Sequence, residues 1–102
     1  MAIQVTGLFK SPISQLIHES PLLKISAHLL YQGDLNVDLL ITSPDGLNRD
    51  SIVYPNLDRE DLTFDASISD PYDSLIRAIE TFLISKLQSE NSINTGSIFN
   101  IV

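Results

Sequence analysis

Ser69-Asp70-Pro71-Tyr72-Asp73 decides the fold. Asp70 is a natural N-cap, whose short carboxylate accepts from the free amides of a first helical turn. Pro71 takes the first helical position, where its missing N–H costs nothing. Asp73, three residues after the cap, lies at the positive end of the helix dipole and stands in for the longer acid of a capping box. From there the period is helical. Tyr72, Leu75, Ile76, Ile79, Phe82, Leu83 and Leu87 form an apolar stripe of about 140° at ~100° per residue, with Ile84 outside it. A helix is therefore expected at about 71–88, with Asp73 and Arg77 paired at i, i+4 on its wet face.

Before this helix the period is two. Ile3, Val5 and Phe9 alternate with Gln4 and Thr6, which predicts a strand near 2–9 with an irregularity at Gly7. Residues 10–22 hold Pro12, Pro21 and several serines and read as a wrapping loop. In it Ile13, Leu16 and Ile17 form one helical turn or lie on a neighbouring surface. Leu23, Ile25, Ala27, Leu29 and Tyr31 alternate with Lys24, Ser26 and His28. After Gln32-Gly33-Asp34, Leu35, Val37, Leu39 and Ile41 resume the alternation. Two such runs around a short glycine link predict a β-hairpin over about 23–42, with strands near 23–31 and 35–42. Leu30 and Leu40 break its polar face. Ser43-Pro44-Asp45-Gly46 is a β-turn signature. Ile52-Val53-Tyr54 before Pro55 reads as a short edge strand, and Leu62, Phe64, Ala66 and Ile68 alternate weakly. Asn91 to Gly96 is turn material, and 97–102 is a closing apolar strand. The expected fold is α+β: a small, mainly antiparallel sheet with one C-terminal helix packed on it and terminal strands at both chain ends, in a single domain over 1–102.

Composition narrows the function. A chain of 102 residues buries about 60–70% of its unfolded surface, enough for one sheet and one covering helix. Apolar content of 43% with 19% charged residues argues against disorder and leaves apolar surface near the outside. The net charge of −7 disfavours phosphate-backbone binding and anionic membranes, so neither nucleic acid nor membrane is an expected partner. With no cysteine there are no disulfides, thiolate metal sites or thiol nucleophiles. Met1-Ala2-Ile3-Gln4-Val5 shows no secretory signal, and no run approaches transmembrane length.

His18 and His28, in the loop and on the polar face of a strand, read as surface histidines without partners at metal spacing. No serine lies in a nucleophile elbow, and Gly7, Gly33, Gly46 and Gly96 are dispersed, so no phosphate loop or dinucleotide fingerprint is present. Tyr31, Tyr54 and Tyr72 are the amphipathic aromatics that interfaces favour, and Tyr31 and Tyr72 read either as core-margin residues with hydroxyls reaching water or as interface contacts. Residues 45–73 carry eight acids against two bases, a local balance of −6. Within them Asn56-Leu57-Asp58-Arg59-Glu60-Asp61, with Asp65, is either a solvated acidic loop, a docking patch for a basic partner, or a collection of oxygen ligands for a hard cation. Its spacing is not that of an EF-hand, and its carboxylates lack the pocket of a hydrolase. The expected interaction residues are Asp58, Arg59, Glu60, Asp61 and Asp65, with Ile13, Leu16 and Ile17 of the N-terminal loop. No catalytic, cofactor or metal site is expected.

The layout of an opening strand at Ala2-Ile3-Gln4-Val5, a central hairpin, a single helix opened by Ser69-Asp70-Pro71-Tyr72-Asp73 and a strand reaching Val102 resembles the small virion structural proteins of tailed phages. Among these it is similar to the auxiliary capsid or connector proteins of crAss-like phages. The resemblance implies a non-enzymatic, multi-copy virion component, made in a host cytoplasm and docked on capsid, connector or like subunits. The alternative is a cytoplasmic acidic inhibitor or adaptor occupying a basic surface of a nucleic-acid-processing enzyme. A small metal-dependent or ligand-binding domain is the third reading.

Overall fold

The computed structural model describes residues 2–31, 34–47 and 49–102, with backbone alone at Leu30 and Tyr31. The expectations for the side chains of Leu30 and Tyr31, and for Gln32 and Gly33, fall outside the described residues. The elements are β1 (Ile3–Thr6), β2 (Leu8–Lys10), β3 (Ile17–Glu19), β4 (Leu22–Tyr31), β5 (Asp34–Thr42), β6 (Arg49–Asp58), a 3₁₀ turn (Arg59–Asp61), α1 (Pro71–Glu90), α2 (Ser92–Thr95) and β7 (Ile98–Ile101). The main sheet is antiparallel throughout, in the order β6-β5-β4-β1-β7. The α+β arrangement expected from the two periods is thus the one observed, with strands at both chain ends.

One face of the sheet carries Ile3, Val5, Leu23, Leu35, Val37, Leu39, Ile41, Ile52, Tyr54 and Phe99. These pack with Ile79, Leu83 and Leu87 of α1 into one core. Asp70 caps α1 as the sequence predicts, its Oδ1 accepting from the Asp73 amide at 3.0 Å. The helix runs two residues further than expected, and Asn91 then caps α2 through the Asn94 amide at 3.0 Å. One member of the predicted helix face lies outside the core, and one residue left out of that face lies inside. Tyr72, on the overhanging first turn, is 63% exposed. Glu80, four residues after Ile76 and three before Leu83, is buried among apolar residues with neither carboxylate oxygen hydrogen-bonded. Among the described residues Asp73 and Arg77 form no ion pair.

Two bulges correct the strand reading. Between Ile25 and Ala27 the β4–β5 register shifts, so that His28 faces Val37 and Leu29 faces Asn36. One extra residue reverses the parity of everything downstream. His28 therefore leaves the polar face for the helix face, where it is half-buried with its ring 6.0 Å from that of Tyr72. Leu29, expected inside, is 62% exposed. The second bulge lies at Pro55-Asn56. Asn56 has φ 57° and donates its amide to Asn36 Oδ1 at 3.0 Å. It lets β6 continue past Pro55 to Asp58, longer than the three-residue strand expected. Leu62, Phe64, Ala66 and Ile68 form no strand.

The wrapping loop also resolves into structure. β2 and β3 pair with each other and prolong the β1–β4 hairpin beyond a bend. At that bend Gly7 has φ 111°, Ser20 has φ 47°, and the Ser20 amide donates to the Gly7 carbonyl at 2.8 Å. A Cβ on Gly7 would meet Ser97 Oγ at 3.0 Å, so both backbone angle and space call for glycine. The bend swings Phe9 into the core, edge-on to Phe99 at 6.0 Å.

Candidate docking surface

The bent hairpin ends in a tip, residues 11–16, whose backbone is tied down from inside. The Ser11 amide donates to the Leu16 carbonyl at 2.9 Å, the Gln15 amide to the Ser11 carbonyl at 3.0 Å, and Gln15 takes φ 63°. Three anchors fix the tip to the body. Asn94, fully buried, accepts from the Lys10 amide at 2.8 Å and donates to the Lys10 carbonyl at 3.1 Å, copying the two bonds of a strand partner. Ser97 Oγ donates to the Leu8 carbonyl. Asp50 at the start of β6 accepts from Ser14 Oγ and pairs with His18 Nε2 at 3.2 Å. His18, expected on the surface, is thus buried on β3 beneath the tip.

Partial burial disfavours the charged form of Asp50. Even so, the Ser14 hydroxyl, the Ser51 amide and His18 together hold its carboxyl below the usual range. The Ser14–Asp50–His18 group looks like a catalytic set, but its order is wrong for one. The hydroxyl donates to the carboxylate and not to the imidazole, so His18 is not placed to take its proton as in a Ser-His-Asp triad.

What the anchored tip displays is apolar. Ile13 is 63%, Leu16 56% and Ile17 56% exposed. Across an open groove lies the β5–β6 connection, ordered by the Gly46 amide on the Ser43 carbonyl at 2.9 Å and by Asp45 Oδ1 on the Leu47 amide at 2.9 Å. Hydrogen bonds from Ser43 and the Leu47 amide also lower the Asp45 carboxyl from its ordinary value. This turn holds Leu47 out with 83% of its surface exposed. Leu16, Ile17, Leu47, His18, Glu19 and Arg49 are among the residues lining the groove. The turn was expected from sequence, but Leu47, which it presents, was not among the residues singled out. The signal was present in an isolated leucine immediately after a Pro-Asp-Gly turn.

The acidic segment lies elsewhere. Asp58 ends β6 and caps the 3₁₀ turn through the Glu60 amide at 2.9 Å, and Arg59, Glu60 and Asp61 are exposed. Asp65 accepts from the Ser67 hydroxyl at 2.6 Å and amide at 2.9 Å, which lowers its carboxyl from the ordinary value. The register adds Asp34, directly opposite Asp58, to this end. Two like charges facing across a strand pair oppose each other, so the acidic end is stabilised by whatever neutralises it. The ten residues of β6 hold the acidic end roughly 30 Å from the apolar tip. The structure therefore divides the expected interaction residues into two surfaces.

No group of three or more His, Asp or Glu side chains suited to a metal ion occurs among the described residues, and none of their helices is long and apolar enough to cross a membrane. Comparison with protein-family models, curated proteins and solved structures finds no match for the chain.

Proposed function

We propose that this chain is a non-enzymatic assembly subunit that docks on other protein subunits through its hairpin tip. The observation that carries the reading is the combination of a rigidly anchored backbone with outward apolar side chains at Ile13, Leu16, Ile17 and Leu47. Contiguous apolar surface rimmed by polar groups marks interaction sites, and an ordered backbone removes the entropic cost of forming one. The setting we propose is the virion of a tailed phage, as an auxiliary capsid or head-tail connector protein present in many copies. That setting is supported by the layout of strands and helix. A second reading, an acidic adaptor on a basic enzyme surface, draws on the Asp34–Asp58 pairing and the adjoining acids.

One binding experiment separates the two readings. The Leu16→Ser, Ile17→Ser, Leu47→Ser triple variant should lose occupancy on the purified particle or partner at unchanged melting temperature. The Asp58→Lys, Glu60→Lys, Asp61→Lys variant should lose little. If the acidic variant alone loses binding, with a steep salt dependence, the adaptor reading replaces the subunit reading.

A further inference from the structure

The two edges of the main sheet are built differently. β6 carries Arg49, Asp50 and Asp58, a proline and a bulge, the devices that keep an edge from pairing with another chain. β7 carries none of them. From Asn91 to Val102 no side chain is charged, there is no proline, and Ile98 and Val102 are 58% and 65% exposed.

The ladder to β1 fixes which groups this edge presents. Ala2 and Val102 exchange both backbone bonds, at 3.1 and 2.9 Å. Hydrogen-bonded pairs alternate along an antiparallel ladder, so Gln4–Asn100 and Thr6–Ile98 are also bonded pairs. The amides and carbonyls of Phe99 and Ile101 therefore point away from β1, and no described residue bonds to them.

We infer that β7 pairs antiparallel with β7 of a second copy, about a two-fold axis through Asn100. Only registers that keep residues of equal parity opposite one another leave both cores on the same face of a joined sheet. Placing Phe99 opposite the second copy's Ile101 does so and forms four backbone hydrogen bonds from the outward groups. It also sets Ile98 against Val102 and Asn100 against Asn100. A second copy is the fitting occupant because the strand is self-complementary in this register. The charge agrees, since the acidic end of β6 belongs to the opposite edge of the sheet. This inference stands independently of the tip.

The chain has no cysteine, so single-cysteine variants report the register directly. In the two-fold pair the Asn100 Cα atoms form a non-hydrogen-bonded pair about 4.5 Å apart, within disulfide reach. The two Ile98 residues lie roughly 14 Å apart and are not. N100C should oxidise to a covalent dimer at least about tenfold faster than I98C or T81C, the last on the exposed face of α1. Wild-type protein should show a concentration-dependent dimer by sedimentation, and N100K should shift it to monomer with the melting temperature that wild type has when diluted to monomer. A wild-type chain that stays monomeric, or an N100C chain that oxidises no faster than the controls, overturns the inference. The tip triple variant should dimerise like the wild type, so the outcome here is distinguishable from failure of the docking reading.

Discussion

Replacing Asn94 tests how the docking tip is held. The side chain is fully buried and makes three bonds across the molecule: from the Lys10 amide at 2.8 Å, to the Lys10 carbonyl at 3.1 Å, and to the Leu87 carbonyl at 3.1 Å. Asn94→Ala strands all three groups. The Leu87 carbonyl is in the interior and loses about 1–3 kcal/mol; the two Lys10 groups, half-exposed and reachable by water, lose about 1 kcal/mol each. The expected total is about 3–5 kcal/mol, a large fraction of the ~5–15 kcal/mol of a domain this size. Asn94→Asp sharpens the test. It keeps the acceptor for the Lys10 amide but turns a carboxylate oxygen toward two carbonyls, which raises the pKa of the new acid in the folded state. Its stability is then recovered below the unfolded pKa of about 4 and lost as pH rises through the folded value. Urea titrations at pH 7 and at about pH 4 should show the deficit of N94D shrinking on acidification while that of N94A stays. Hydrogen exchange at the Lys10 amide should accelerate in N94A. An N94A protein within 1 kcal/mol of wild type, or N94D deficits equal at both pH values, would refute the clamp.

Two further outcomes follow from the helix. Burial raises the Glu80 carboxyl above its ordinary value against the opposing pull of Arg77, so wild-type stability falls as pH rises from the unfolded pKa through the folded one. Glu80→Met should therefore raise the melting temperature at pH 7, with the gain vanishing near pH 4; no gain at neutral pH would show the carboxylate to be compensated. Asp70→Ala should cost about 1 kcal/mol through the uncapped first turn and Ile79→Ala roughly 2–5 kcal/mol through a core cavity, and equal melting of both variants with the parent would sink the assigned helix face.

The elements that were legible in sequence are those whose signal is local. Asp70-Pro71 states a helix start in two residues, and the inward positions Leu35, Val37, Leu39 and Ile41 keep an unbroken period of two, despite Leu40 on the other face, because β5, central in its hairpins, has no bulge of its own. What was not legible depends on a partner strand. Ser26 reads as one more polar position until β5 shows that it is the extra residue, after which His28 and Leu29 exchange faces. β2 and β3 have three residues each, too few to show a period, and the prolines and serines around them favour a loop reading. Of the site, Ile13, Leu16 and Ile17 were identifiable as apolar residues outside the core pattern. Leu47 joins them only because the β5–β6 turn brings it across the groove. Glu80 was readable from the helix period and overlooked because a charged residue is by default assigned to water.

The position of the tip gives the β7 pairing a consequence. The tip lies at the end of the sheet where β1 and β5 finish and β4 and β6 begin, and the acidic residues lie at the other end. A two-fold axis perpendicular to the sheet reverses this direction in the second copy. The pair then carries one tip at each end, and its two β6 edges become the outermost strands of a ten-stranded sheet. These edges stand about nine strand spacings, or roughly 43 Å, apart. That is several times the ~8 Å screening length of physiological salt, so the charges on the two β6 edges oppose pairing only weakly. Pairing converts a chain with one docking tip into a bridge with two opposed ones. A bridge of this kind binds a lattice of subunits more tightly than either tip alone when the span between sites matches its length. On the proposed function the uncharged β7 edge and the apolar tip are thus complementary in effect: the first would set the number of tips per assembly, and the second what each tip contacts.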